Sequence, residues 1–309
     1  MKRLTEEIVT KAEASNARWD PLDLSVIDQI RRFEAEQPSA TEEIVRRPSE
    51  ALRLTQALLF NGTERATAKG TPAKSHETPL LFCLYTVADD LRLAEMNLAL
   101  GYVVGVAWAL RDAVEAIALS ALFWRDPKRS ETYWGGAEFK PSQVRQDLEA
   151  LQIWPGALAS LWVSYNVLSK LAHPNVARLA LVTDEWRTDA GVWHGLRAGG
   201  TREEKKLWTF NSFAAQVCVD VTMMAEPIIN SYLSTDDQRI FEACVRDVMR
   251  KSGEVLELSL ARRHQQPEAE CGTDKTYEQR LRKSFGKPME MLQDALSELE
   301  VSRKQGRQD

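Results

Sequence analysis

Apolar positions recur every three or four residues along most of the chain, which is the period of an α-helix. Residues 1–60 read as two or three amphipathic helices. Asp20-Pro21 and Pro38-Ser39 are the expected breaks, the second placing Ser39 or Thr41 near a new N-cap. Residues 61–78, from Asn61-Gly62-Thr63 to Ser75-His76, are small and polar and read as a loop. A helical block follows, with one helix over 79–97 and another over 98–124, and the pattern allows the two to be continuous. Trp124-Arg125-Asp126-Pro127 ends it. Two further helices, over 141–151 and 155–173, each begin with proline at the first helical position, where no N–H is needed.

The period then changes. Residues 178–183 and 192–196 read as two short strands, with Thr188-Asp189-Ala190-Gly191 in the turn between them. Gly199-Gly200-Thr201 closes the hairpin, and Thr201 is the expected cap of a helix reaching about Leu233, kinked at Pro227. Thr235-Asp236-Asp237 caps another helix that ends near His264. Residues 265–275 read as a linker. A last amphipathic helix starts at Thr276 and is interrupted at Gly286-Lys287-Pro288, before a basic tail from Arg303. The pattern predicts an all-α, multi-helix bundle with a small β-hairpin insertion. Its expected division is 1–76 (an N-terminal helical segment), 77–235 (a central bundle) and 236–309 (a C-terminal extension).

Composition changes this picture little. In 309 residues, 44% are apolar and 28% charged, so a sizeable core is available. The net charge of −5 argues against a broad electrostatic grip on nucleic acid but leaves room for a small basic cleft. Residues 96–110 are uncharged and very apolar, yet too short to span a bilayer, and Arg111, Asp112 and Glu115 follow at once. This stretch reads as the central helix of the bundle, with Gly101 and Gly105 letting a neighbouring helix approach, and no membrane partner is expected. The first residues lack the apolar run of a signal peptide, and a cytoplasmic location is expected. Cys83, Cys218, Cys244 and Cys271 form no close pair, and His76, His173, His194 and His264 are widely spread. No metal site or cofactor is therefore expected. Phosphate-loop, dinucleotide, nucleophile-elbow and zinc-protease motifs are missing too. Short basic runs such as Arg280-Leu281-Arg282-Lys283 read as solvated helix faces.

One stretch hints at chemistry. In the helix ending at Pro174, Asn166, Ser169, Lys170 and His173 fall at i, i+3, i+4 and i+7, on one face. The rest of that helix is apolar, and a polar stripe must meet water, a partner or a ligand. His173 closes the helix, where the dipole favours an imidazolium and where it is placed as an acid–base group. The plainer reading is a helix end, with Lys170 solvated and Ser169 bonded back to a carbonyl. Arg111 and Glu115, four residues apart, are placed to pair, either as a structural tie or facing Ser169 and His173 on an adjacent helix. His194, on the hairpin, reads as a surface or packing residue, with a cleft role as the alternative.

The segment Arg111-Asp112-Ala113-Val114-Glu115, followed by Leu168-Ser169-Lys170-Leu171-Ala172-His173-Pro174, resembles a prokaryotic helical family marked by a Leu-Ser…His-Pro helix end. That family is distantly similar to HEPN domains, and the likeness covers about 79–235. It implies a bundle that commonly dimerises, and a metal-independent ribonuclease of toxin–antitoxin or antiphage defence systems. Carried over by position, His173 matches the family's histidine. The family's arginine has no counterpart, since Asn166, Val167 and Leu168 stand where it would fall; Lys170 or Arg111 is the candidate replacement. In this reading His173, Lys170, Arg111 and Glu115 are the catalytic set, and Asn166 and Ser169 contact RNA. The alternative is a non-catalytic helical module that binds a protein partner or a nucleotide. A homodimer is expected on either reading.

Overall fold

The computed structural model describes residues 25–67, 77–173, 183–188, 191–196, 200–201 and 204–265. The expected helices within 1–24, the loop residues 68–76, the linker from 266, the helix from Thr276 and the basic tail lie outside these.

The fold is all-α. The helices are α1 (Ser25–Thr67), α2 (Glu77–Ala99), α3 (Val103–Arg125), α4 (Pro127–Trp134), α5 (Pro141–Ala150), α6 (Pro155–Ala172), α7 (Glu204–Asn230) and α8 (Thr235–Gln265). Between α6 and α7, the backbone of β1 (Thr183–Thr188) pairs antiparallel with that of β2 (Gly191–Leu196), Thr183 opposite Leu196 and His194 opposite Glu185. The expected first strand over 178–183 meets this element only at Thr183, and residues 178–182 lie outside the described residues.

The expected break at Pro38-Ser39 is absent: α1 runs through both Pro38 and Pro48. A proline inside a helix leaves the carbonyl four residues earlier without its N–H partner. At Pro48 that carbonyl belongs to Ile44, and the side chain of Asn211 on α7 donates to it at 2.9 Å. A tertiary contact thus replaces the missing helical bond. The predicted loop from 61 is also corrected, because α1 continues to Thr67. Gly62 is buried against α7 and α8, and a Cβ there would lie 2.7 Å from the Phe241 ring. Neighbouring helices hold this polar stretch helical.

The apolar run 96–110 is not one helix. It breaks at Leu100-Gly101-Tyr102, where Gly101 adopts φ +70°. Helices α2 and α3 fold back on each other there and form the most extensive helix pair. Gly101 makes room for a backbone segment and not for a neighbouring helix. A Cβ on it would collide with the Thr201 carbonyl, and its own carbonyl accepts from Thr201 N–H at 2.8 Å. Gln37 on α1, fully buried, donates to the Thr201 carbonyl at 2.7 Å, and the Tyr102 hydroxyl donates to Glu34 at 2.6 Å. Three distant parts of the chain meet at this turn.

Helices α4 to α6 begin where the sequence places proline at N1. Asp126 caps α4 by accepting from Lys128 N–H at 3.1 Å. The turn into α6 puts Trp154 in the left-handed region at φ 39°, a conformation that costs a non-glycine residue about 1–2 kcal/mol. Its indole stacks on Trp124 at 5.7 Å with the planes 8° apart, which offsets that cost. Helix α8 is capped by Ser234, one residue before the expected Thr235. The Asp237 N–H donates to Ser234 Oγ at 3.3 Å, while that hydroxyl donates to Asp237 Oδ2 at 2.6 Å.

Helix α7 is the centre, packing against α1, α2, α3, α6 and α8. Its Leu207, Phe210, Ala214, Val217, Cys218, Val221, Ala225 and Ile228 are buried. Its 25 residues from Lys206 to Asn230 pass the length and composition test for a membrane span, yet 72% of the most apolar window is covered by protein, as a core helix requires. One hydrophobic cluster extends from Val45 to Val248, across both expected boundaries at 76/77 and 235/236.

Candidate functional site

Helix α6 carries the stripe singled out by its polar spacing. Leu158, Leu161, Trp162, Leu168 and Leu171 are buried, which fixes the rotation of the helix. Asn166, Lys170 and His173 then stand exposed along one line, separated by four and three residues. Ser169 does not share that line fully. It is half-buried, and among the described residues its hydroxyl has no hydrogen-bond partner. The expected bond from this hydroxyl back to a carbonyl is not made. Instead the Ser169 carbonyl accepts the His173 backbone N–H at 3.0 Å, closing the helix. His173 itself is extended (φ −78°, ψ 148°), as the residue before a proline must be.

Helix α3 packs against α6 and brings its own polar group to the same side. Arg111 pairs with Glu115 at 2.6 Å and lies 3.9 Å from Asp112. Its guanidinium sits over the Tyr165 ring, 5.7 Å from the centroid. Tyr165, and not His173 or Ser169, is therefore the α6 residue that Arg111 meets. One turn earlier on α3, Trp108 donates its indole N–H to the Ala172 carbonyl at 2.8 Å. That carbonyl is one of the orphan acceptors at the end of α6, so this bond anchors the helix end that presents His173. Trp108 is still 53% exposed.

Sequence reasoning missed Trp108 and Asp90. Trp108, Arg111 and Glu115 fall at i, i+3 and i+7, and this spacing was a readable signal. Asp90 on α2 is pushed up to about 7 by burial, with the carboxylates of Asp112 and Asp89 adding to the rise. Burial also raises Asp112, and Arg111 opposes that rise. The α2–α3 edge thus gathers the carboxyls of Asp89, Asp90 and Asp112.

A second polar cluster, also unforeseen, lies between α6 and α7, with Asp220 and Gln216 buried and Ser160 half-buried. Asp220 is 1% exposed. It accepts from Ser160 Oγ at 3.1 Å and from Gln216 Nε2 at 3.0 Å, and Gln216 also donates to Ser160 at 3.0 Å. Burial pushes this carboxyl up to about 7 in spite of the two donors. Gln216 and Asp220, four residues apart inside the apolar run Ala214–Met224, were the sequence signal.

Among the described residues, no group of three or more His, Cys, Asp or Glu is arranged to hold a metal ion. The backbone of His194 lies on β2, opposite Glu185. Comparison with family models, with curated proteins and with solved structures finds no match to this chain.

Proposed function

We propose that the chain is a non-catalytic helical module that binds a protein partner where α3 meets the end of α6. The observation that carries this reading is the Arg111–Glu115 ion pair. Arg111, one of the two cations that phosphate chemistry could draw on here, is paired at 2.6 Å and covered on one side by Tyr165. Beside it, Trp108 has already used its indole N–H internally and offers partners an apolar face, the kind of anchor that dominates protein interfaces. Asn166, Lys170 and His173 supply a polar rim. A cytoplasmic location and a homodimeric state belong to the same proposal. The dimer is supported by three large exposed apolar residues on α2, Phe82, Leu93 and Met96.

A second reading is supported by the exposure of Lys170 and His173 on one line: a HEPN-like, metal-independent ribonuclease of a toxin or antiphage system. His173 would move the proton and Lys170 would stabilise the phosphorane. The two readings separate in one experiment. Tagged full-length chain and its Trp108→Ala and His173→Ala variants are used for quantitative partner capture from the source cell and for cleavage of single-stranded RNAs without metal. The module reading expects Trp108→Ala to lose at least tenfold of a stoichiometric protein partner, with no cleavage by any variant. Cleavage abolished by His173→Ala, a loss of about a hundred- to ten-thousand-fold, overturns it in favour of the ribonuclease.

A further inference from the structure

A groove of about 400 Å³ runs between α1 and α8 on the side of the molecule formed by the α7–α8 turn. Leu54, Leu58, Leu233, Phe241 and Val248 line it, and Ile240 at its edge is 66% exposed. Burying such a side chain is worth about 1.5–3 kcal/mol, so an open apolar groove favours an occupant. Its rim holds two carboxylates, Asp237 and Asp247, and one cation, Arg65. Arg65 pairs with Asp237 at 3.1 Å, and Asp247 pairs with Arg250 at 3.4 Å. The Asp247–Arg250 pair is exposed on both sides, and such pairs hold by about 1 kcal/mol or less and exchange readily with an incoming cation. The exposed thiol of Cys244 lies in the same groove, whereas Cys83 and Cys218 are buried.

We infer that this groove is the docking site of the chain's own C-terminal segment, residues 277–287. Tyr277, Leu281 and Phe285 recur every four residues, a spacing that places them on one face of a helix. Between them stand Arg280, Arg282 and Lys283, followed by Lys287, against the single carboxylate of Glu278. An apolar face flanked by cations complements an apolar groove with acidic rims. The chain also reaches. Val248, the groove residue nearest the end of α8, precedes Gln265 by 17 helical residues, or about 26 Å at 1.5 Å each. The connection 266–276 extends over roughly 36 Å, enough to fold back along α8.

The test uses the full-length chain with Cys271→Ser, so that Cys244 is the accessible thiol. Its reaction rate with a maleimide is compared with that of the same chain carrying Leu281→Asp and Phe285→Asp. Docking predicts at least tenfold faster labelling in the substituted chain at unchanged helical content. Equal rates overturn the inference. Protection that disappears on dilution also overturns it, because the groove is then filled by a second copy. An independent measurement places Ile240→Arg in the groove, at an exposed position where the fold tolerates it. Tryptic cleavage after Arg280 and Arg282 should accelerate at least tenfold, and an unchanged rate would again refute self-docking.

Discussion

Gly101 shows how much a single residue decides in this fold. Its φ of +70° lies where a side chain is disfavoured, and the Thr201 backbone fills the space that a Cβ would need. Gly101→Ala should therefore cost about 2–4 kcal/mol, combining left-handed strain with overpacking, read from a denaturant midpoint. Asp220 makes the opposite kind of statement. Its carboxyl rises to about 7 in the fold, against about 3.9 in an unfolded chain. A raised value means that the folded state holds the proton more tightly. The stability from this group is complete below about pH 4 and is lost as pH climbs through about 7. Asp220→Asn keeps the shape and removes the ionisation. Thermal unfolding of this variant should lose most of the decline between pH 4 and 7, a few kcal/mol at most by linkage. A decline of unchanged size would assign it to other groups, Asp90 first among them.

At the scale of elements, boundaries follow local chemistry where the local chemistry is unopposed. Proline at N1 marks the starts of α4, α5 and α6, and Asp126 and Ser234 supply caps, the latter one residue before the expected Thr235. Helix α1 is different, because Pro48 stays inside it through a donor supplied by α7. This coupling is measurable. Asn211→Ala should cost about 1 kcal/mol in the parent chain, the value of a typical hydrogen bond. In a Pro48→Ala background, where residue 48 again offers its own N–H, the cost should fall close to zero. Equal costs in the two backgrounds would show that Asn211 does not compensate for the proline.

At the scale of the whole molecule, α7 gathers five helices around one apolar cluster, and large exposed apolar residues are left on several elements, among them Phe82, Leu93 and Met96 on α2, Trp108 on α3 and Ile240 on α8. Phe82, Leu93 and Met96 are the exposed apolar residues of α2 that support the proposed homodimer. Sedimentation at tens of micromolar, a concentration suited to a modest interface, should give a dimer for the parent chain and a monomer for Phe82→Glu with Met96→Glu. A parent chain that sediments only as a monomer would remove the dimer from the proposal.

The sequence by itself determined the all-α class, the starts of α5 and α6 and the exposure of Asn166, Lys170 and His173, whereas the start of the short α4 reads only as a helix end. Each follows from short-range rules: helical period, proline at N1, and polar residues spaced along one face of an apolar helix. Only tertiary structure decided the rest. Pro38 and Pro48 lie within α1, residues 61–67 stay helical, and the Arg111 guanidinium lies over the Tyr165 ring. The Ser160–Gln216–Asp220 cluster adds to the local Gln216–Asp220 pair a residue about 60 positions away, Ser160, which no local spacing points to. In each of these cases a partner distant in sequence supplies the donor, the cavity wall or the ring, and a local pattern carries no record of which distant residue that will be.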